Sequence, residues 1–469
     1  MEGLEGVHKS STFVVRGESM RCIVLAAGMG VRMNSKYAKV THTVCGKPMI
    51  RWILDTVLNL LDKVCVVVGH DADSVKKLLP ENVEVVHQSQ QLGTGHAVMS
   101  ARNFIDPADN LLILYGDMPL ITEGTIQKII NSHNLSNCDA TVVSVEMNDP
   151  TGYGRIVRDK SGKFVKIVEE SEASNREKAI VEVNTGVYIF NGRKLLEVLP
   201  MINCKNKKGE YYLTDVFAFL ERVNIYKSER SCEFIGINNR IQLAQAEKFR
   251  RQWILEELMI KGVTIVDPET TYIDADVKIG RDSIIYPMSF IHGDTKIGED
   301  CIIGPMTRII DSYIGDRVTI VRSECKGARI MSDVSVGPFS RLREGTVLCN
   351  GVKIGNFVEI KNSEIDQNTK AQHLTYLGDA VVGKSVNIGA GTITCNFDGK
   401  RKNQTVIEDE VFIGSNTALV APVKVEKGAF VAAGSTINRN VPAWSLAIAR
   451  ARQEIKLNWV IDKRKKEED

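Results

Sequence analysis

Branched aliphatic residues return at every sixth position through residues 277–440. Ile279, Ile285, Ile291, Ile297, Ile303 and Ile309 form one unbroken series. After a slip the beat resumes at Ile330, Val336, Leu342, Leu348, Ile354 and Ile360, and again at Ile407, Ile413, Leu419, Val425, Val431 and Ile437. Such a period matches neither the helical turn of about 3.6 residues nor the alternation of a single strand. It predicts a parallel β-helix in which each hexapeptide makes one face of a coil and the aliphatic side chain points to the axis. Small or polar residues such as Gly280, Gly298 and Asp300 suit the corners. The polar stretch CNFDGKRKNQ at 395–404 interrupts the repeat.

The pattern is different from Arg21 to about Arg230, where apolar runs alternate with amphipathic stretches. RCIVLAAG, KVCVVVGH, VEVVHQ and NLLILYGD read as buried strands; PMIRWILDTVLNLL, GTGHAVMSARNFI and TEGTIQKIINSHN read as helices. This alternation predicts a mainly parallel, doubly wound sheet covered on both faces, with ligands at the carboxyl ends of its strands. Residues 240–262 carry a long charged helical pattern closed by Gly262. The expected organisation is therefore α/β plus β-solenoid: an extension at 1–19, a Rossmann-like domain at 20–239, a linker helix at 240–262, a β-helix at 263–455 and a charged, solvated tail at 456–469.

Composition narrows the function classes. Sixty basic against 58 acidic side chains leave no field that demands nucleic acid or an anionic membrane. The ten cysteines lack CxxC pairs and zinc-like spacing, which predicts reduced thiols and a cytoplasmic location. No apolar run reaches the length of a membrane span, and residues 1–19 lack the long apolar region of a secretory signal.

Two places carry candidate chemistry. The strand RCIVLAAG runs into Gly28-Met29-Gly30-Val31-Arg32, where glycines let backbone amides approach a phosphate and Arg32 adds a planar donor fork. Lys39 follows; Gln88, Gly93 and Thr94 lie in HQSQQLGTGHA; and Tyr115-Gly116-Asp117 ends a buried strand, Asp117 being a plausible hard-oxygen ligand for magnesium. In the β-helix, His373 is the group that titrates near neutrality, and Arg343 and Lys361 could form a phosphate-binding patch near it.

LAAGMGVRM, QLGTGHA, YGDMPL, DPTGYGRI, VEVNTG, GEYYLTD and GINNR, in that order and continuing through the β-helix to about Arg452, make the chain resemble one bacterial family. This is the bifunctional N-acetylglucosamine-1-phosphate uridyltransferase / glucosamine-1-phosphate acetyltransferase family. The resemblance implies an N-terminal nucleotidyltransferase domain and a left-handed β-helix of hexapeptide repeats. It places the uridine nucleotide against Leu25, Ala26, Ala27, Gly28, Gln88, Gly93 and Thr94, with Arg32 and Lys39 facing the phosphates as catalytic cations. Tyr115, Gly116, Gly154, Glu169 and Asn184 would hold the sugar side, and Asp117 and Asn238 would bind Mg2+.

For acetyl transfer, the resemblance implies His373 as general base, Arg343 and Lys361 on the sugar phosphate, Tyr376 and Asn387 orienting the ring, and Glu359 orienting base or amine. Acetyl-CoA would lie against Ala390, Asn396, Phe397, Ser415, Ala433 and Arg450. Glucosamine 1-phosphate, N-acetylglucosamine 1-phosphate, UTP and acetyl-CoA are the implied small-molecule partners, and a homotrimer the implied assembly. Departures are visible at Met29-Gly30-Val31-Arg32, where the family has Lys-Gly-Thr-Arg; at Ala38-Lys39-Val40-Thr41-His42, where it has Pro-Lys-Val-Leu-His; and at Phe397, where it has Tyr. The first two predict retained uridyl transfer with room for a slower rate. The competing readings are a single-activity sugar-1-phosphate nucleotidyltransferase that uses the β-helix for assembly or regulation, and a nucleotide-sugar-binding regulatory subunit without catalysis.

Overall fold

The structure, a computed structural model, describes residues 19–468. Of the expected 1–19 extension, all but Ser19 lies outside the described residues. The chain divides into two compact units at Arg250.

The first unit is built on β1 (Met20–Ala26), β2 (Lys63–Val68), β3 (Glu84–His87), β4 (Asn110–Tyr115), β5 (Ala140–Glu146), β6 (Arg155–Arg158), β7 (Phe164–Val168), β8 (Glu182–Asn191) and β9 (Val223–Ser228). The sheet order is β9-β5-β8-β4-β1-β2-β3. β1 pairs in parallel with β2 and β4, and β2 with β3, as the strand–helix alternation predicts. β8 runs antiparallel to both β4 and β5, so the sheet is mixed rather than wholly parallel. β6 and β7 form an antiparallel pair attached to β8.

Both faces of this sheet are buried. Cys22, Val24, Ile50, Leu54, Val66 and Leu114 pack on one side; Ile23, Cys65, Val67, Ile113, Phe190 and Phe217 pack on the other. That two-sided burial is why the strands read as continuous apolar runs. Helices α1 (Met49–Leu58) and α2 (Thr94–Ser100) fall inside the predicted helical stretches, and α3 (Glu123–Ser136) runs two residues past the end of the third. Helix α4 (Arg240–Ile260) carries the division between the two units.

In the second unit the hexapeptide series maps onto parallel rungs. Of the eighteen residues in the three series, all but Ile279 are buried, and Ile279 packs against the core. Register partners lie one coil apart, Ile285 with Ile303 and Ile297 with Ile314. The slip in the sequence pattern has a simple cause. Some faces are five residues long, as from Ile309 to Ile314 and from Ile360 to Ile365, so the next inward residue arrives one place early. Elsewhere a weakly apolar residue takes the core position: Cys325, Ala371 and Thr394 are all buried. The fold is the left-handed parallel β-helix of hexapeptide repeats.

The interruption at 395–404 folds out as a small loop, closed by an antiparallel bridge between Phe397 and Lys402. Its turn is fixed by Asp398, whose carboxylate accepts from the amides of Lys400 and Arg401 and from Asn403. The tail differs from a plain solvated end: Trp459–Glu468 is helical, with Lys463 and Glu467 paired at 3.7 Å one turn apart. Its described side chains are nevertheless exposed. Among the described residues no helix is long and apolar enough to cross a membrane.

Candidate functional sites

The carboxyl ends of β1 and β4 open into a cleft of about 630 Å³. Leu25, Ala26, Ala27 and Gly28 come to it from the end of β1, and Gln88, Gly93 and Thr94 from the segment leading into α2. Tyr115, Asp117, Gly154, Glu169, Asn184, Asn238, Arg32 and Lys39 complete the predicted set. Gly116 stands behind the wall; a Cβ there would meet Ile50 at 2.9 Å and Val40 at 3.2 Å, so a larger residue would push these core side chains aside. Two glycines shape the approach. Gly30 (φ 63°) leads into the turn Val31–Met33, and a Cβ would strike Lys39 at 2.7 Å. Gly93 (φ 109°) lies against the Tyr211 carbonyl, which a Cβ would approach to 2.5 Å.

Side chains around the cleft are held in place by bonds among the residues that line it. Gln88 Nε2 donates to the Gly93 carbonyl at 3.2 Å. Asn184 Nδ2 donates to Tyr188 Oη at 2.7 Å, and its backbone amide donates to the Gly154 carbonyl at 2.9 Å. Thr214 Oγ1 donates to Glu169 Oε1 at 2.9 Å. Burial, with Asp215 and Glu210 adding to it, raises the Glu169 carboxyl above its ordinary value despite that bond and nearby Lys208. Arg32 is exposed at the rim, as are Met29 and Val31.

Deeper in the cleft, Lys39 Nζ bonds Asp117 Oδ2 and also lies 3.1 Å from Asn238 Oδ1. The two oxygens predicted to bind a metal thus converge on one cationic group. Among the described residues no cluster of three or more His, Cys, Asp or Glu side chains could hold a metal. A carboxylate plus an amide oxygen nonetheless suits magnesium, which keeps several waters and takes further oxygens from substrate phosphates. The residues present fit the ion.

The β-helix candidates fall into two columns along its corners. Asn356 and His373 are register partners, and His373 Nδ1 lies 3.1 Å from Asn356 Oδ1. On succeeding coils the same corner continues through Ala390, Ser415, Ala433 and Arg450. Bonds one coil apart fix that alignment: Gly391 N to Leu374 O at 2.8 Å, Asn416 N to Ala390 O at 2.6 Å, Gly434 N to Ser415 O at 2.8 Å and Arg450 Nη1 to Ala433 O at 2.9 Å.

The second column lies at the other edge of the next face. Arg343 N donates to Ile360 O, which sets Arg343 level with Lys361, whose register partner is Gly378. The imidazole is therefore not beside the two cations, as the sequence suggested. Along one chain it stands at the opposite edge of a face, five register positions away, between corners at Phe357 (φ 57°) and Asn362 (φ 45°). Glu359 and Tyr376 pair on the face between them. Arg343 Nη1 lies 3.0 Å from Glu359 Oε1. Asn387 occupies the preceding face, in register with Lys370 and Phe412, and Phe397 is exposed on the loop.

Comparison with known proteins decides the family. The model of the MobA-like NTP transferase domain matches residues 22–182, and that of the bacterial transferase hexapeptide (six repeats) matches 276–311. A protein of Thermotoga petrophila named bifunctional protein GlmU is 54% identical over 96% of this chain and 100% of its own length. Its namesakes from Thermotoga maritima and Thermosipho melanesiensis are 53% and 56% identical, over 96% and 95% of this chain and 100% and 98% of their own lengths. The chain belongs to the GlmU family.

GlmU membership draws attention to residues that sequence reasoning passed over. Asp379 joins the second column: it accepts from Asn362 Nδ2 at 2.6 Å and Asn396 Nδ2 at 2.5 Å, and lies 3.9 Å from Lys361 Nζ. Burial would raise its carboxyl, but those amides, with Lys361 and Lys402, hold it below the ordinary value. Lys402, from the loop, comes close enough to Lys361 that the neighbouring ammonium lowers its own pKa. The signal for Lys402 was present in the basic run KRK of the insert, but only the folded loop brings it to Lys361. In the cleft of the first unit, Arg155 was also missed. Fully buried, it binds Glu170 at 2.8 Å and the Tyr153 carbonyl, tying the Gly154 loop to the segment that carries Glu169.

Proposed function

We propose that this chain acetylates glucosamine 1-phosphate with acetyl-CoA and then transfers uridyl from UTP to the resulting N-acetylglucosamine 1-phosphate, giving UDP-N-acetylglucosamine and pyrophosphate. The observation that carries this reading is the near-full-length relationship to bifunctional relatives, in a chain that keeps both a nucleotide-sized cleft and the His373 corner column.

In acetyl transfer the sugar amine attacks the thioester carbonyl, a C–N bond forms, the C–S bond breaks and CoA leaves as its thiol. The amine must shed a proton, and His373 is the base. With Asn356 presenting its oxygen, Nδ1 carries hydrogen and Nε2 keeps its lone pair for that proton. Arg343 and Lys361, with Lys402 beside them, bind the sugar phosphate; Tyr376 and Asn387 orient the ring. The sugar-binding and cofactor-binding edges lie apart along one chain. A homotrimer, in which an edge of one prism meets an edge of its neighbour, closes the site.

In uridyl transfer an oxygen of the sugar phosphate attacks the α-phosphorus of UTP and pyrophosphate departs. Two anions must meet, so positioning and charge neutralisation supply most of the rate. Arg32 and Lys39 bind phosphate oxygens, the Gly28–Arg32 turn offers amides, and Glu169 and Asn184 hold the sugar. Asp117 and Asn238 would hold magnesium, which when bound neutralises phosphate charge. The test supplies glucosamine 1-phosphate, acetyl-CoA, UTP and magnesium and follows both products by mass. Both should form. His373→Ala should lower acetyl transfer by ~10²-fold or more while uridyl transfer to supplied N-acetylglucosamine 1-phosphate persists. Thiol release without uridyl transfer at saturating magnesium, or the reverse, would refute the two-reaction assignment.

A further inference from the structure

We propose that Lys39 is the resident cation of the metal position in the nucleotide-free protein, and that a divalent ion enters only as Lys39 moves onto the phosphates of the incoming nucleotide. This rests on the uridyltransferase reading above.

The geometry makes Lys39 the movable partner. The segment carrying Asp117 is held through its carbonyl, which accepts from Ile237 N at 3.0 Å. Asn238 has its amide nitrogen tied to Gly236 O at 3.1 Å and its backbone N–H tied to Gln242 Oε1 at 2.7 Å, so Oδ1 is the atom left to face the cleft. Lys39, by contrast, reaches both oxygens at the end of a flexible four-carbon stem.

An ammonium and a magnesium ion make the same demand on these oxygens. Magnesium binds oxygen at about 2.0–2.1 Å, and an ammonium held against both Asp117 Oδ2 and Asn238 Oδ1 occupies the space between those oxygens and opposes the ion with its own positive charge. Displacing Lys39 without a new anion would strand a positive charge beside a doubly charged ion. A triphosphate supplies that anion. Met29 and Val31 bring no charge to the rim, and Arg32 and Lys208 are exposed, which leaves Lys39 as the inner cation. Metal and nucleotide should therefore bind with positive coupling, each raising the affinity of the other by the same factor.

The test measures Mn2+ binding to the full-length protein by the electron paramagnetic resonance signal of the free ion, with and without a non-hydrolysable UTP analogue. Wild-type protein should bind Mn2+ weakly alone and at least tenfold more tightly with the analogue. Lys39→Met should bind Mn2+ at least tenfold more tightly than wild type without nucleotide. Lys39→Gln should do the same and serves if the Met variant fails to fold. Asp117→Asn should abolish the nucleotide-dependent binding. Unchanged or weaker nucleotide-free binding in the Lys39 variants, with Asp117→Asn still abolishing binding, would overturn the role of Lys39 and leave the metal assignment standing. Mn2+ binding indifferent to Asp117→Asn under every condition would overturn the metal assignment itself.

Discussion

Gly378→Ala should slow acetyl transfer selectively. Gly378 is the register partner of Lys361 and lies outside the left-handed region, so alanine meets no backbone obstacle. What it meets is the site. A Cβ would sit 2.4 Å from Tyr376 Oη, 2.6 Å from Tyr376 Cζ and 2.7 Å from Asn396 Nδ2. Comfortable contacts between heavy atoms lie near 3.5–4.0 Å. The phenol must swing away, or Asn396 must release Asp379, to which it is bonded at 2.5 Å. Overpacking of this kind costs about 1–3 kcal/mol, and each 1.4 kcal/mol or so is tenfold in rate. If Tyr376 orients the sugar ring, acetyl kcat/KM should fall by roughly ten- to a hundredfold. The assay has a built-in control: thiol release and pyrophosphate release are measured on the same preparation, and the second should be unchanged. Acetyl transfer within twofold of wild type would refute the placement of Tyr376 and Asn396 in the site. A parallel loss of both activities would refute the claim that the effect is local.

Two further outcomes test the uridyl unit. Val31→Thr should raise uridyl kcat/KM several-fold, because a hydroxyl returned to the cleft rim is worth about 1 kcal/mol of hydrogen bonding; a flat response in pyrophosphate release would show that Val31 does not limit the rate. His133, buried beside Thr141 Oγ1 at 2.9 Å, has its pKa lowered by burial from 6.5 to about 4. The unfolded chain takes up a proton near 6.5 and the folded chain does not until about 4. Stability is thus fully present above 6.5 and is lost as pH falls toward about 4, by on the order of 2–3 kcal/mol. Urea unfolding of His133→Asn at pH 7 and pH 5 should show a smaller difference between the two than wild type; an equal difference would place the acid sensitivity elsewhere.

The sequence made the β-helix legible because burial in a prism imposes a fixed beat, and seventeen of eighteen series residues are fully inside. It hid the five-residue faces and the coils whose inward residue is Cys325 or Thr394, since neither type is aliphatic. The antiparallel strand β8 was hidden for another reason: buried on both faces, it carries the same apolar run as its parallel neighbours. In the cleft, motif residues scattered from Leu25 to Asn238 line one pocket, with Gly116 behind its wall. The second site was legible residue by residue but not as an arrangement. His373 lies twelve residues from Lys361 in sequence, yet it shares its corner with Ser415 and Arg450, because the coil that spans the insert takes 25 residues, as from Ile388 to Ile413, instead of the usual 17 or 18.

That corner explains why a prism suits this transfer. Neighbouring parallel rungs stack about 4.8 Å apart, so the four steps from His373 through Ala390, Ser415 and Ala433 to Arg450 span ~19 Å along a straight edge. The three residues between are Ala, Ser and Ala, too small to obstruct a long cofactor laid along them. His373 stands at one end and the Arg450 guanidinium at the other, which in the proposed acetyl transfer puts an imidazole where thioester meets amine and a cation where the cofactor's phosphates need a partner. Up to Ala433 the spacing is set by backbone hydrogen bonds between coils, and the last step by the Arg450 guanidinium on the Ala433 carbonyl. Substitutions along the track should therefore alter cofactor affinity before they alter the fold. The uridyl cleft has the opposite character in the proposal made above, where its central ion pair opens before the reaction begins.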